Sequence, residues 1–263
     1  MFDDGVIGTP EVQADFSEMQ IFSDNCAVCA ETSIINQFFP DLELDQESAA
    51  YISASNGWYV PGEGTSPDVV GNLMEHFGIE THTVSNATVE QLAMELQQGH
   101  GVVVGIRADE LWESGPLAEL KDALCEIYGL DNSTYQPANH AITVTGIDMS
   151  DPENPMVIIN DSGVPDGAGA SYPLDKFLDA WKNSDFQYVA TNDPIPAMNA
   201  EGIGEEGFWG NFNWGQWIDS VADTGSGNLG AKWCPDYVLA RGGIMAARTV
   251  VDFFKDDDIA RRI

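Results

Sequence analysis

Two β-rich runs lying close together limit this chain's fold more than anything else in it. "HAITVTGID" covers residues 140–148 and "PMVIIND" covers 155–161. Both are dense in branched residues, which suit a pleated surface. Between them stands "MSDPEN", a turn by composition. Strands joined this tightly must run antiparallel, because a parallel pair needs a crossover of roughly a dozen residues or more. An antiparallel sheet is therefore expected in the second half of the chain.

The first half reads differently. From Cys26 to Phe39, apolar Val28, Ile34, Ile35, Phe38 and Phe39 recur at near-helical spacing, and Pro40 stops the run. Asp24 and Asn25 stand where a cap is expected. A second helix is predicted over Asp45–Ser55. The turn-rich "NGWYVPGEGTSPDVV" delivers Ser66 as cap and Pro67 as first-turn residue for a helix through Phe77. A strand at Ile79–Val84, a helix at Thr88–Gln98 and the buried strand "GVVVGIR" (101–107) follow. Helical pattern covers 108–129, broken near Gly115-Pro116. An amphipathic helix at 172–183 and a strand at 186–191 come after the hairpin, while 1–19 reads as an irregular lead-in. Helices first and antiparallel strands later make an α+β domain, not a doubly wound parallel sheet.

After Pro194 the texture changes to Gly, Asn and Trp, with a helical pattern near Tyr237–Phe254. Residues 1–195 are expected to form the domain and 196–263 an acidic extension. Trp209, Trp214 and Trp217 would pack the extension onto it. No internal repeat is visible.

Composition excludes several classes. Hydrophobic residues make up 43% of the 263, enough for a core. No apolar run approaches the ~18 residues of a membrane span. The acidic N-terminus lacks a basic-then-apolar leader, so the expectation is a cytoplasmic chain, or one exported without a classical signal peptide. Lys and Arg number 10 against 43 Asp and Glu, a net charge of −33. That field repels a phosphate backbone, so no nucleic-acid partner is expected. It suits a salty habitat, or attraction to a cationic partner.

Chemistry concentrates at the first helix. A cysteine at a helix N-terminus meets outward-pointing N–H groups and a dipole that favours its thiolate. Cys26 has that place; Cys29, one turn on, should face the core. Cys125 and Cys234 stand far from this pair in sequence, so four-thiolate zinc, which usually shows two close pairs, is poorly matched. A Cys26–Cys29 redox couple lacks the strand expected before it. A thiolate nucleophile needs an imidazole. His76 and His82 flank a helix-to-strand connection and His100 sits in a turn, whereas His140 opens a β-run. An imidazole in turn needs an acceptor on its other nitrogen. If the two runs form a hairpin, Asp161 or Asn160 lies beside His140. The Cys26 N–H and the side chain of Gln20, six residues earlier, can donate to an oxyanion.

Gln20, Cys26 and then "NHAITVTGID…VIINDSG…YPLDKFLDAW" resemble the papain-like cysteine peptidases, above all cysteine peptidase family thirty-nine. That family includes the bacteriocin-processing peptidase domains of transporters. The resemblance covers roughly residues 15–192. It implies a papain-like fold, a helical part packed on an antiparallel sheet. It also implies Gln20 as oxyanion donor, Cys26 as nucleophile, His140 as base and Asp161 as orienting residue, with no metal or cofactor. The substrate implied is a peptide or protein, Gly-Gly-containing or cationic. Two departures stand out: Ala27 where the family usually has Gly, and Ser162 where Pro usually follows the third residue. The second keeps Asn160 open as the third residue. "RGG" at Arg241–Gly243 is a candidate self-processing site. Two other readings stay open: a catalytically silent binding module, and a secreted cysteine-dependent effector that modifies a target protein.

Overall fold

The computed structural model describes residues 5–112 and 137–196. The rest of the 108–129 helical pattern, Cys125, Cys234, the three extension tryptophans and the Arg241–Gly243 site lie outside the described residues.

Among the described residues the main sheet has seven strands: β1 (Val6–Gly8), β4 (Thr81–Val84), β5 (Val102–Ile106), β6 (His140–Asp148), β7 (Met156–Asn160), β8 (Ala170–Pro173) and β9 (Tyr188–Thr191). A separate hairpin pairs β2 (Tyr59–Val60) with β3 (Gly64–Thr65). The main order is β4-β9-β5-β6-β7-β8, antiparallel throughout. β6 is the long strand. β5 pairs with its first half, up to Val144, and β1 continues along that edge from Gly146 to Asp148. The hairpin expected at 140–161 is present, with a register shift between Val144 and Gly146. β9 runs between β4 and β5 rather than along an edge.

Among the described residues the α-helices are α1 (Pro10–Ala14), α2 (Cys26–Phe38), α3 (Gln46–Ser55), α4 (Asn72–His76), α5 (Val89–Gln97), α6 (Ala108–Trp112) and α7 (Leu174–Trp181). Strand alternation sorts the core into two halves. Val102, Val104 and Ile106 join Leu92, Leu96, Phe177 and Trp181 on one side. Val103 joins Ile34, Ile35, Leu73 and Met74 of the helical part on the other. The α+β architecture is thus as expected, a helical part packed on an antiparallel sheet.

Some sequence expectations need correction. The lead-in is not irregular: it supplies β1, and Pro10 opens α1. The helix expected from Pro67 to Phe77 is split. A 3₁₀ turn over Pro67–Val69 ends, and α4 begins only after Gly71, whose φ of 103° is open to glycine and strained for other residues. Tyr172 and Pro173 belong to β8, so α7 starts at Leu174. Neither Asp24 nor Asn25 caps α2 through its side chain. Asp24 instead binds the β2–β3 hairpin, accepting from the Tyr59 hydroxyl at 2.6 Å and from the Gly62 N–H. Asp45 and Thr88 do cap, the latter in a reciprocal capping box with Gln91.

A buried acid fixes α2 to α4. Glu31, 2% exposed, accepts N–H bonds from Gly71, Leu73 and Met74 on one carboxyl oxygen. It thereby satisfies donors at the α4 N-terminus that have no partner within the helix.

Candidate active site

Cys26 opens α2 and is 6% exposed. His140 opens β6, and Asp161 directly follows β7. The antiparallel hairpin brings the start of one strand to the end of the other. The His140 ring donates from Nε2 to Asp161 Oδ1 at 2.6 Å, which fixes the proton on that nitrogen because a carboxylate only accepts. Asp161 also accepts from the Gly163 N–H at 2.8 Å and, on Oδ2, from the Trp112 indole at 2.8 Å. The Trp112 ring lies edge-on to the His140 imidazole, centroids 5.2 Å apart. A methyl group at Gly163 would come within 2.8 Å of the ring, so this turn is shaped around the histidine.

Electrostatics follow from the burial. Desolvation alone would push the His140 pKa down. The charge of Asp161, with further charge and hydrogen-bond interaction from Cys26, outweighs it and raises the pKa to about 10. Desolvation pushes Asp161 the other way, but the His140 charge and its three donors hold the carboxyl below its ordinary range. Burial, reinforced by the nearby charge of Cys26, raises the Cys29 thiol far above an ordinary cysteine. Cys29 donates to Gln46 Oε1 at 3.1 Å. It is buried as expected, but against a polar side chain.

Asn160 turns away from the histidine. Its amide donates to the Gln13 carbonyl and accepts from the Gly169 N–H, both at 2.9 Å. The structure therefore brings Asp161, and not Asn160, to His140. Gln20 lies next to this centre, with its N–H on the Ser162 carbonyl at 2.8 Å and its Oε1 receiving the Ser162 hydroxyl at 3.2 Å. Its Nε2 donates to the Phe22 carbonyl at 2.9 Å. The other histidines have their own partners. His82 and His100 both bond Glu95, and His76 packs on Trp58 and Phe77. Among the described residues no group of His, Cys, Asp and Glu could hold a metal ion, and no helix is long and apolar enough to cross a membrane.

Sequence reasoning does not reach Trp112 or Gly163. Trp112 lies on α6, inside the helical pattern read over 108–129, but nothing in that pattern points it to Asp161. Gly163 does leave a signal, a glycine two residues after the acid, but that signal is indistinguishable from an ordinary turn former.

An uncharacterized protein of Mycobacterium bovis is 28% identical over 209 residues, 70% of this chain and 84% of its own length. One of Mycobacterium tuberculosis matches to the same extent. A Bacillus anthracis crystal structure described as that of a C39-like peptidase superposes with a TM-score of 0.47 at 14% identity, covering 69% of this chain and 96% of that one. The sequence pattern of the Peptidase_C39 like family matches residues 16–189, the stretch that holds Gln20, Cys26, His140 and Asp161. The chain belongs to the Peptidase_C39 like family.

Proposed function

We propose that this chain is a cysteine peptidase in which Cys26 is the nucleophile. The observation that carries the reading is the buried His140–Asp161 bond of 2.6 Å, with Cys26 interacting with the same imidazole. One ring nitrogen is committed to a carboxylate, so the other is left to exchange a proton with the thiol. Asp161 fixes the ring orientation and stabilises the imidazolium. The raised His140 pKa favours a thiolate–imidazolium pair in the resting enzyme.

The thiolate attacks a peptide carbonyl. The Cys26 N–H and the Gln20 amide donate to the oxyanion. His140 then passes its proton to the leaving amine, a thioester forms on Cys26, and water, deprotonated by His140, releases the acid. The substrate is a peptide or protein. The net charge of −33 favours cationic segments, and cleavage after Gly-Gly is the narrower reading, carried over from the family.

Alkylation of Cys26 across pH, read by peptide mass spectrometry, tests the pair. Rapid labelling well below pH 8 that slows in His140→Ala supports it. A digest of unrelated proteins, incubated with wild type and Cys26→Ala and sequenced by mass spectrometry, gives the cleavage sites. An ordinary thiol profile in both proteins, together with no Cys26-dependent cleavage, would remove the reading.

A further inference from the structure

The residues around Gln20 are held in an unusual way. Met19, Ile21 and Phe22 are large, apolar and exposed, so they do not anchor this segment by burial. The side chain of Gln46, itself 6% exposed, reaches it from the first residue of α3. Its Nε2 donates to the Met19 carbonyl at 2.9 Å and to Glu18 Oε2 at 3.2 Å. Its Oε1 accepts from the Ile21 N–H at 3.1 Å. One amide thus grips the backbone on both sides of Gln20. The same Oε1 receives the Cys29 thiol at 3.1 Å and the Asn25 amide at 3.5 Å. Both of those residues belong to the first turn of α2 or its cap. Gln46 therefore ties the Gln20 segment to the helix that carries Cys26.

This arrangement bears on the oxyanion. Its two proposed donors come from different pieces of chain, the Cys26 N–H from α2 and the Gln20 amide from an exposed segment. A donor is useful only within a few tenths of an ångström of the place where negative charge develops. Ser162 sets the direction of the Gln20 side chain through Oε1, and something must set its distance from Cys26. We infer that Gln46 is the positioning residue of the oxyanion site: it holds the Gln20 backbone at a fixed distance from the Cys26 N–H. The inference rests on the peptidase reading above, and on Gln20 being one of the donors.

Two reactions of the same thiol separate the possibilities. Iodoacetamide alkylates Cys26 by displacement, with iodide leaving and no oxyanion formed. With p-nitrophenyl acetate the Cys26 sulfur adds to the ester carbonyl, an oxyanion forms, and p-nitrophenolate leaves the acetyl thioester behind. In Gln46→Met, similar in shape but without hydrogen bonds, acylation should slow on the order of tenfold or more while alkylation keeps its wild-type rate and pH profile. Adding Gln46→Met to Gln20→Ala should cost little further acylation, because the two changes remove one function. Gln46→Asn is the second variant. It adds no charge beside Glu18 but is one methylene too short to reach the Met19 carbonyl and the Ile21 N–H, and the same selective loss is expected should the methionine variant fold poorly.

Wild-type acylation in either Gln46 variant overturns the inference. Equal loss of acylation and alkylation, or additive loss in the double variant, overturns it too, because both mean a general structural role. If wild-type Cys26 is alkylated rapidly with His140 dependence yet Gln20→Ala acylates normally, the inference falls and the Cys26–His140 reading stands. If wild-type Cys26 is not acylated at all, the peptidase reading itself falls and takes the inference with it.

Discussion

Replacing Glu31 by Gln should make the protein more stable, and increasingly so as pH rises. The carboxyl is buried among apolar residues of α2 and α4, and the contacts described for it are N–H donors rather than cations. Desolvation raises its pKa from 4.5 to about 8, against the opposing pull of three N–H donors. The folded chain therefore keeps a proton that the unfolded chain releases. The stability held by that proton is fully present below about pH 4.5 and is lost as pH climbs through about 8. Holding a proton one pH unit beyond its ordinary range corresponds to ~1.4 kcal/mol, so the whole window amounts to roughly 4–5 kcal/mol, on the scale of a domain's total stability. A glutamine oxygen can still accept from Gly71, Leu73 and Met74 without taking on charge. Urea unfolding of both proteins in steps from pH 4.5 to 9 measures the difference. Other titrating groups contribute equally to both curves and cancel. The stability of Glu31→Gln relative to wild type should rise steadily across the window. Parallel curves would refute the argument, and would mean that the carboxylate is solvated or compensated in the folded state.

Asp161→Asn removes the charge that raises the His140 pKa, so the imidazolium should be lost at lower pH and the alkaline limb of Cys26 alkylation should move down; an unmoved limb would place the cause elsewhere. Asn160→Ala, which strips partners from the buried Gln13 carbonyl and Gly169 N–H, should cost about 1–3 kcal/mol in thermal or urea unfolding and leave Cys26 labelling unchanged. Gly163→Ala pushes a methyl into the His140 ring, so Cys26 alkylation should slow far more than the melting temperature falls. Trp112→Phe deletes the indole bond to Asp161, and should lower the fast-alkylation rate about tenfold or more, matching the ~1.5–3 kcal/mol of a hydrogen bond to a charged group.

The parts of the fold that are legible in the sequence carry their own local signal. The hairpin can be read because branched residues fill both runs and a turn separates them, and α2 because its apolar spacing ends at a proline. β1 is illegible because three residues carry no period, and Val6–Gly8 becomes a strand only by completing the edge of β6 beyond Val144. The break at Gly71 is hidden because Ser66-Pro67 is a sound helix start, and only Glu31, forty residues away, shows where the second start lies. At the site, the closeness of His140 and Asp161 follows from the hairpin once it is granted. The choice between Asp161 and Asn160 does not, since neighbours on a strand face opposite ways and the sequence does not say which faces the histidine. Trp112 and Gln46 act through bonds to distant backbone and carboxylate groups, which leave no mark in their own surroundings.

The place of β9 has a consequence for how the chain emerges during synthesis. β4 precedes β9 by about a hundred residues, yet among the described residues it joins the sheet only through that strand. Until Tyr188–Thr191 has been made, β4 has no ladder to join, and the Val102–Val104 edge of β5 lies open. Such an edge invites pairing with other chains, and its closure waits on a contact of very long sequence separation, which folds slowly. A ribosome-bound fragment ending before residue 188 should therefore be a target for chaperones, because β1 and the β5–β8 portion of the sheet can assemble ahead of the last strand while β4 waits for it.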